Sequence, residues 1–125
     1  MKLKPIKIID TDGAKLTVQK SGRLGLSKKA AEVLNVKGNP FCLFLEDDDS
    51  SETTLFIEMK KDSFDFTLPV RKAGNYFYIK ANFLLKRIGI DFSKENQTII
   101  FDLAPPIFMD DGRKVFRLKK RVLKK

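Results

Sequence analysis

Histidine and tryptophan are absent from this 125-residue sequence, and cysteine occurs once. A single cysteine cannot form an intramolecular disulfide, which excludes a disulfide-stapled secreted design. Without histidine, Cys42 lacks the usual base of a catalytic thiol, so we expect it to be a small buried residue of the run "PFCLFLE". The sequence shows no phosphate-binding loop either, so we expect no enzymatic activity and no cofactor.

Long apolar runs are also missing, and no stretch could span a bilayer, so no membrane partner is expected. The N-terminal stretch "MKLKPIKIID" alternates lysine with apolar residues and has no continuous apolar segment of the signal-peptide kind. We interpret it as a first strand. A cytoplasmic location follows as the default expectation.

Positive charge is abundant but unevenly placed. The formal net charge is +9, and the segment from residue 113 onward contains eight basic residues and no acidic one. They are Arg113, Lys114, Arg117, Lys119, Lys120, Arg121, Lys124 and Lys125. This segment, with a basic tail over 119–125, is interpreted either as a phosphate-binding element or as a solubilising end.

The first half of the chain predicts strands around a short helix. "KLTVQK" and "RLGLS" place Leu16, Val18, Leu24 and Leu26 at alternating positions, with a turn at Ser21-Gly22. Ser27 is a suitable N-cap for a helix that contains Ala30, Ala31, Val33 and Leu34 and that "KGNP" ends.

A hairpin follows in the runs "FCLFLE" and "TLFIEM". Its acidic connection, "DDDSSET", lacks the glycine and the ligand spacing of an EF-hand loop, so no metal site is expected.

The second half repeats this order in "FTLPVRK", "NYFYI", a helix over about 80–88, "QTIIFDL" and "KVFRLKK". An offset of 52 aligns Gly22 with Gly74 and Lys28 with Lys80. One unit buries too little surface to stand alone, whereas two can share a core. We therefore predict an α+β, mainly β fold: one domain over 1–125, made of two ββαββ repeats, 1–62 and 63–125, in a pseudo-twofold barrel with two short helices.

The stretch "GRLGLSKKAAEVLNVKGNPFCLFLEDDDSSETTLFIEMKK" resembles the AbrB-type swapped-hairpin (SpoVT/AbrB-like) family. The resemblance implies that two units interleave into a small barrel, and Arg23 matches a family position associated with DNA contact. Family members commonly have proline at the position of Ser27 and arginines at those of Ala31 and Glu32. The second repeat, which has Asn75 at the position of Arg23, would be the tandem partner.

Basic residues cluster at the turns and helix starts of both halves and in the last strand. The candidate nucleic-acid contacts are Lys20, Arg23, Lys28, Lys29, Arg71, Lys72, Lys80, Arg117, Lys119, Lys120 and Arg121. Tyr76 and Tyr78 suggest a base-stacking surface, but the offset of 52 aligns them with Leu24 and Leu26 and so favours the core. The apolar residues of the loop "APPIFMDDG" are expected to pin that loop onto the core.

These patterns predict a non-enzymatic nucleic-acid-binding protein, DNA-binding and of a regulatory kind, that contacts phosphates through its basic turns and C-terminal strand. The alternative is a protein-interaction or assembly module with no nucleic-acid role. The expected partners are therefore nucleic acid or another protein, with homo-oligomerisation left open.

Overall fold

Eight antiparallel strands close into a barrel in the computed structural model, which describes residues 1–6, 8–47, 54–93 and 96–124. The elements are β1 (Lys15–Val18), β2 (Arg23–Leu26), α1 (Lys28–Val33), β3 (Phe41–Glu46), β4 (Leu55–Lys60), β5 (Leu68–Ala73), β6 (Tyr76–Lys80), α2 (Asn82–Arg87), β7 (Gln97–Leu103), β8 (Ile107–Phe108) and β9 (Lys114–Lys124). The sheet order is β4-β3-β5-β6-β2-β1-β7-β9, and pairing of β4 with β9 closes the ring. The mainly β fold with two short helices is confirmed.

The barrel interior is filled by the apolar residues that occupy alternating positions along the strands. Leu16 and Leu24 are fully buried, as expected, and Cys42 lies with them in the core. Core side chains come from all along the chain: Ala14, Leu16, Leu24, Leu26, Ala30, Leu34, Val36, Cys42, Leu55, Ile57, Ile79, Ala81, Leu85, Ile90, Ile99, Phe101, Leu103, Phe116 and Leu118.

Both helices are six residues long, and both end in the same backbone conformation. Ser27 caps α1, as predicted, because its side chain accepts a hydrogen bond from the amide of Ala30. The helix stops earlier than predicted, since Asn35 adopts a left-handed backbone with φ of 48° and the amide of Val36 bonds to the carbonyl of Ala31. Gly89 does the same for α2. Neither helix, within the described part of the chain, is long and apolar enough to cross a membrane.

The prediction for the N-terminal end of the chain is wrong, and the structure adds detail to the prediction for the C-terminal end. The predicted first strand is wrong, because the described residues before Lys15 form no strand and Leu3, Ile6 and Ile8 are about nine-tenths exposed. Strand β1 is already flanked by β2 and β7, so no place beside it remains for another strand. Residues 119–124 of the predicted tail lie in β9, paired with β7.

The loop before β9 also differs from its prediction. Ile107, Phe108 and Met109 are each more than two-fifths exposed, so they do not pin the loop onto the core. Ile107 and Phe108 instead form β8, which pairs with the start of β9. The acidic hairpin connection falls on residues 48–53, which lie outside the described residues.

Candidate nucleic-acid interface

The two hairpins β1–β2 and β5–β6 meet along the β2–β6 pair, and this seam carries the clearest cluster of predicted site residues. Arg23 of β2 lies directly opposite Lys80 of β6. Arg71 of β5 lies opposite Tyr78 of β6. Directly opposed residues project from the same side of a sheet, and so do residues two apart on one strand. Arg23, Arg71, Tyr78 and Lys80 therefore share one surface, the side away from buried Leu24 and Ile79.

Tyr76 lies on the same side, two residues before Tyr78. The two rings have centroids 5.9 Å apart and planes tilted by 39°. The guanidinium carbon of Arg23 lies 4.2 Å from the ring centroid of Tyr78, which is a cation–π contact. We call this surface, with Arg23, Arg71, Tyr76, Tyr78 and Lys80, the Arg/Tyr face.

The predicted core position of both tyrosines is wrong. Tyr76 is 40% exposed and Tyr78 half-buried, whereas Phe77 and Ile79 point inward opposite Leu26 and Leu24. The cause is turn length. Three residues separate the hydrogen-bonded Gln19 and Arg23 in the first hairpin, but only two separate the paired Ala73 and Tyr76 in the second. A difference of one residue reverses which side chains of the following strand face the core.

The charged side chains of the Arg/Tyr face, Arg23, Arg71 and Lys80, are all cations. Strands β1, β2, β5 and β6 contain no acidic residue, and all four are fully described. Lys15 of β1 lies on the same side, but Asp102 of β7 lies directly opposite it, so a carboxylate borders the four strands there. The side chain of Gln19 covers Gly25, because a Cβ on that glycine would lie 2.5 Å from its Nε2. An amide that can both donate and accept therefore lies next to the tyrosine row.

Other predicted cations are placed elsewhere. Lys72 lies on the opposite side of β5 from Arg71, with its ammonium 5.9 Å from the ring centroid of Phe77. Lys29 of α1 is 3.7 Å from the carboxylate of Asp10. Lys28 lines a cleft of about 720 Å³ between α1 and the β5–β6 turn, and Tyr76 lines the same cleft. Lys20 lies in the β1–β2 turn, which precedes Arg23.

The predicted residues of β9 lie on both of its sides: Arg117, Lys119 and Arg121 project outward and form a second group, whereas Lys120 lies opposite buried Phe101. Arg117, Lys119, Lys120 and Arg121 are exposed. Arg121 donates two hydrogen bonds to Asp102, at 2.7 and 3.1 Å, and the hydrogen bond to this carboxylate raises the pKa of Arg121. Strands β1 and β7 separate β9 from β2, a distance of about 14 Å at ordinary strand spacing. The second group therefore flanks the Arg/Tyr face.

Groups suited to other chemistry are sparse. The described residues contain no cluster of three or more histidine, cysteine or carboxylate side chains that could hold a metal ion. Burial raises the pKa of Cys42 to about 12, so its thiol stays protonated and unreactive. The buried carboxylate of Glu58 lies 2.8 Å from Lys60 and 3.6 Å from Arg113, an arrangement that neutralises it.

Comparison of the chain with family models, with curated proteins and with solved structures gave no match to any of them.

Proposed function

We propose that this chain is a non-enzymatic nucleic-acid-binding protein whose Arg/Tyr face contacts the sugar-phosphate backbone. The observation that carries the proposal is the convergence of Arg23, Arg71 and Lys80 on one acid-free surface. These residues come from three strands and two hairpins. In the sequence, Arg23 is at least 48 positions from each of the other two. Cations gathered in this way favour a polyanion over a small neutral ligand.

The cations of β9 extend the same proposal. Arg117 and Lys119 lie on the outer flank of the barrel, at a distance that a backbone crossing several strands can reach, whereas Lys120 projects from the other side of β9. Arg121 contributes less, because Asp102 already neutralises its charge. The predicted phosphate contacts on this strand therefore rank below those on the Arg/Tyr face.

A salt titration tests the proposal. Each phosphate contact changes the slope of log K against log salt by about 0.7 for a single strand and about 0.9 for a duplex. Replacing Arg71 and Lys80 with alanine should reduce the slope by about 1.4 to 1.8. The matched control is the Lys61→Ala/Lys86→Ala variant, which removes two exposed lysines outside the four strands and should leave the slope nearly unchanged. Absence of binding at low salt contradicts the proposal.

We further propose that residues 1–62 and 63–125 are two ββαββ repeats related by a pseudo-twofold axis, in the swapped-hairpin manner. Two reciprocal pairings support this: β1 pairs with β7, and β5 pairs with β3. The β2–β6 and β4–β9 pairs then join equivalent strands, and β8 is an addition to the second repeat. Each half expressed alone should be unfolded by circular dichroism, and mixing the halves should restore β structure.

A second candidate function is docking of another protein on the loop that contains β8. The exposed Ile107, Phe108 and Met109 form an apolar group there. A pull-down that compares the full chain with a version lacking 105–112 tests it. Loss of a partner from the shortened chain supports docking at this loop, whereas unchanged partners contradict it.

A further inference from the structure

We infer that the Arg/Tyr face selects single-stranded nucleic acid, with bases stacked on Tyr76 and Tyr78. The inference rests on the proposed function and specifies its ligand. Phosphate contacts alone require only cations, whereas this face also presents two aromatic rings on its outer side. Two adjacent rings beside cations on an outer sheet surface are the combination on which unpaired bases stack.

The geometry suits unpaired bases. Tyr76 and Tyr78 are two residues apart on one strand, so their attachment points lie about 6.6 Å apart. Tyr76 is 40% exposed and offers the more open ring. Arg23 lies on Tyr78 and adds a guanidinium, a group on which bases also stack. The three side chains form a continuous row across the β2–β6 seam.

A duplex cannot use this row in the same way. In a double helix the faces of each base are covered by the neighbouring bases, so only the edges and the backbone are presented to a protein. An unpaired strand offers the base faces themselves. The tyrosines therefore favour single strands, whereas the cations can contact the phosphates of single-stranded and double-stranded nucleic acid alike.

Cations and a cleft lie next to the row of Tyr76, Tyr78 and Arg23. Arg71 and Lys80 flank Tyr78 on the neighbouring position of β5 and on β6 itself, where they can contact the phosphates of the stacked nucleotides. Beyond Tyr76 lies the cleft of about 720 Å³, whose lining includes Lys28, Asn75 and the acidic Glu32.

The protein carries its own reporter for this contact. It contains two tyrosines, Tyr76 and Tyr78, and no tryptophan. Intrinsic tyrosine emission therefore comes from the Arg/Tyr face alone, and stacking of a base on either ring quenches it. The Tyr76→Phe and Tyr78→Phe variants keep both aromatic rings while leaving one emitting residue each.

The experiment titrates the full chain with a thymine homopolymer of roughly ten nucleotides, the matching uridine oligomer and a duplex of the same length, at one salt concentration. Both single strands should quench tyrosine emission at saturation, and the duplex should quench little and bind more weakly. Tyr76→Ala should weaken single-strand binding about tenfold and leave duplex binding within about twofold. The control is Phe66→Ala, which removes a 90% exposed aromatic residue outside the four strands and should change neither.

The outcomes distinguish a failure of the proposed function from a failure of the single-strand inference. No binding of any of the three oligonucleotides overturns the proposed function itself. Binding without tyrosine quenching, equal affinity for duplex and single strand, or unchanged affinity in Tyr76→Ala overturns the single-strand inference and leaves phosphate binding standing. Because Tyr78 is half-buried, Tyr78→Phe rather than alanine is used at that position, and base stacking on its ring requires that the affinity stay unchanged.

Discussion

Replacing Ser27 with alanine should destabilise the protein far more than loss of a surface hydroxyl normally does. The side-chain oxygen accepts hydrogen bonds from the backbone amides of Ala30 and Lys15, each at 3.1 Å. It also donates to the carbonyl of Gly13 at 2.9 Å. One hydroxyl thus joins the first turn of α1, the start of β1 and the loop before it.

The magnitude follows from these three bonds. Loss of a helix N-cap costs about 1 kcal/mol, and each further hydrogen bond contributes about 0.5 to 1.5 kcal/mol. The Ser27→Ala variant should therefore lose about 2 to 4 kcal/mol of unfolding free energy. At this chain length that corresponds to a fall in Tm of about 10 °C. Ser27→Thr keeps the hydroxyl and should lose less than about 1 kcal/mol.

Urea denaturation followed by circular dichroism measures the difference. Ser93→Ala is the matched control, because Ser93 is exposed and its hydroxyl donates a hydrogen bond to Asp91, two residues away. The control should change stability by less than about 0.5 kcal/mol. A Ser27→Ala variant as stable as this control would refute the view that Ser27 links three elements.

Three further predictions concern buried positions and turns. Cys42, with its pKa raised to about 12, should resist thiol reagents at pH 8 in the folded protein and react once urea unfolds it; rapid labelling of the native protein would contradict its burial. Lys60→Ala should cost about 3 kcal/mol in chemical denaturation, because it leaves the buried carboxylate of Glu58 without the ammonium that lies 2.8 Å away; a cost below about 1 kcal/mol would contradict this. Gly22→Ala should destabilise more than Gly74→Ala, since both have positive φ but only at Gly22 would a Cβ meet Asn82, at 2.7 Å; equal thermal midpoints would contradict it.

Local features of the fold were predictable because they depend on residues close in sequence. The alternation of apolar residues indicated the pairs β1–β2 and β3–β4, and Ser27, as an N-cap residue, indicated the start of α1. The end of that helix was not recognised, because Asn35 takes the left-handed conformation that glycine more often supplies.

The Arg/Tyr face was only half predictable. Its cations were identified, but the tyrosines were assigned to the core by an offset that assumed equal turns. The alternation within "NYFYI" did show that Tyr76 and Tyr78 share one side. Which side depends on whether the preceding turn has two residues or three, and that is decided by pairing of the strands. The gathering of Arg71, Arg23 and Lys80 likewise depends on the β2–β6 contact between distant segments.

The contact between Arg23 and Tyr78 has a thermodynamic consequence, because the two residues belong to different hairpins. Neither hairpin alone presents this surface, so a ligand that needs it binds the native state and not the unfolded chain. Mass action then raises the melting temperature, with about 2.7 kcal/mol gained at a hundredfold excess over Kd. Heating the protein with individual oligonucleotides at equal concentration would thus rank them by affinity.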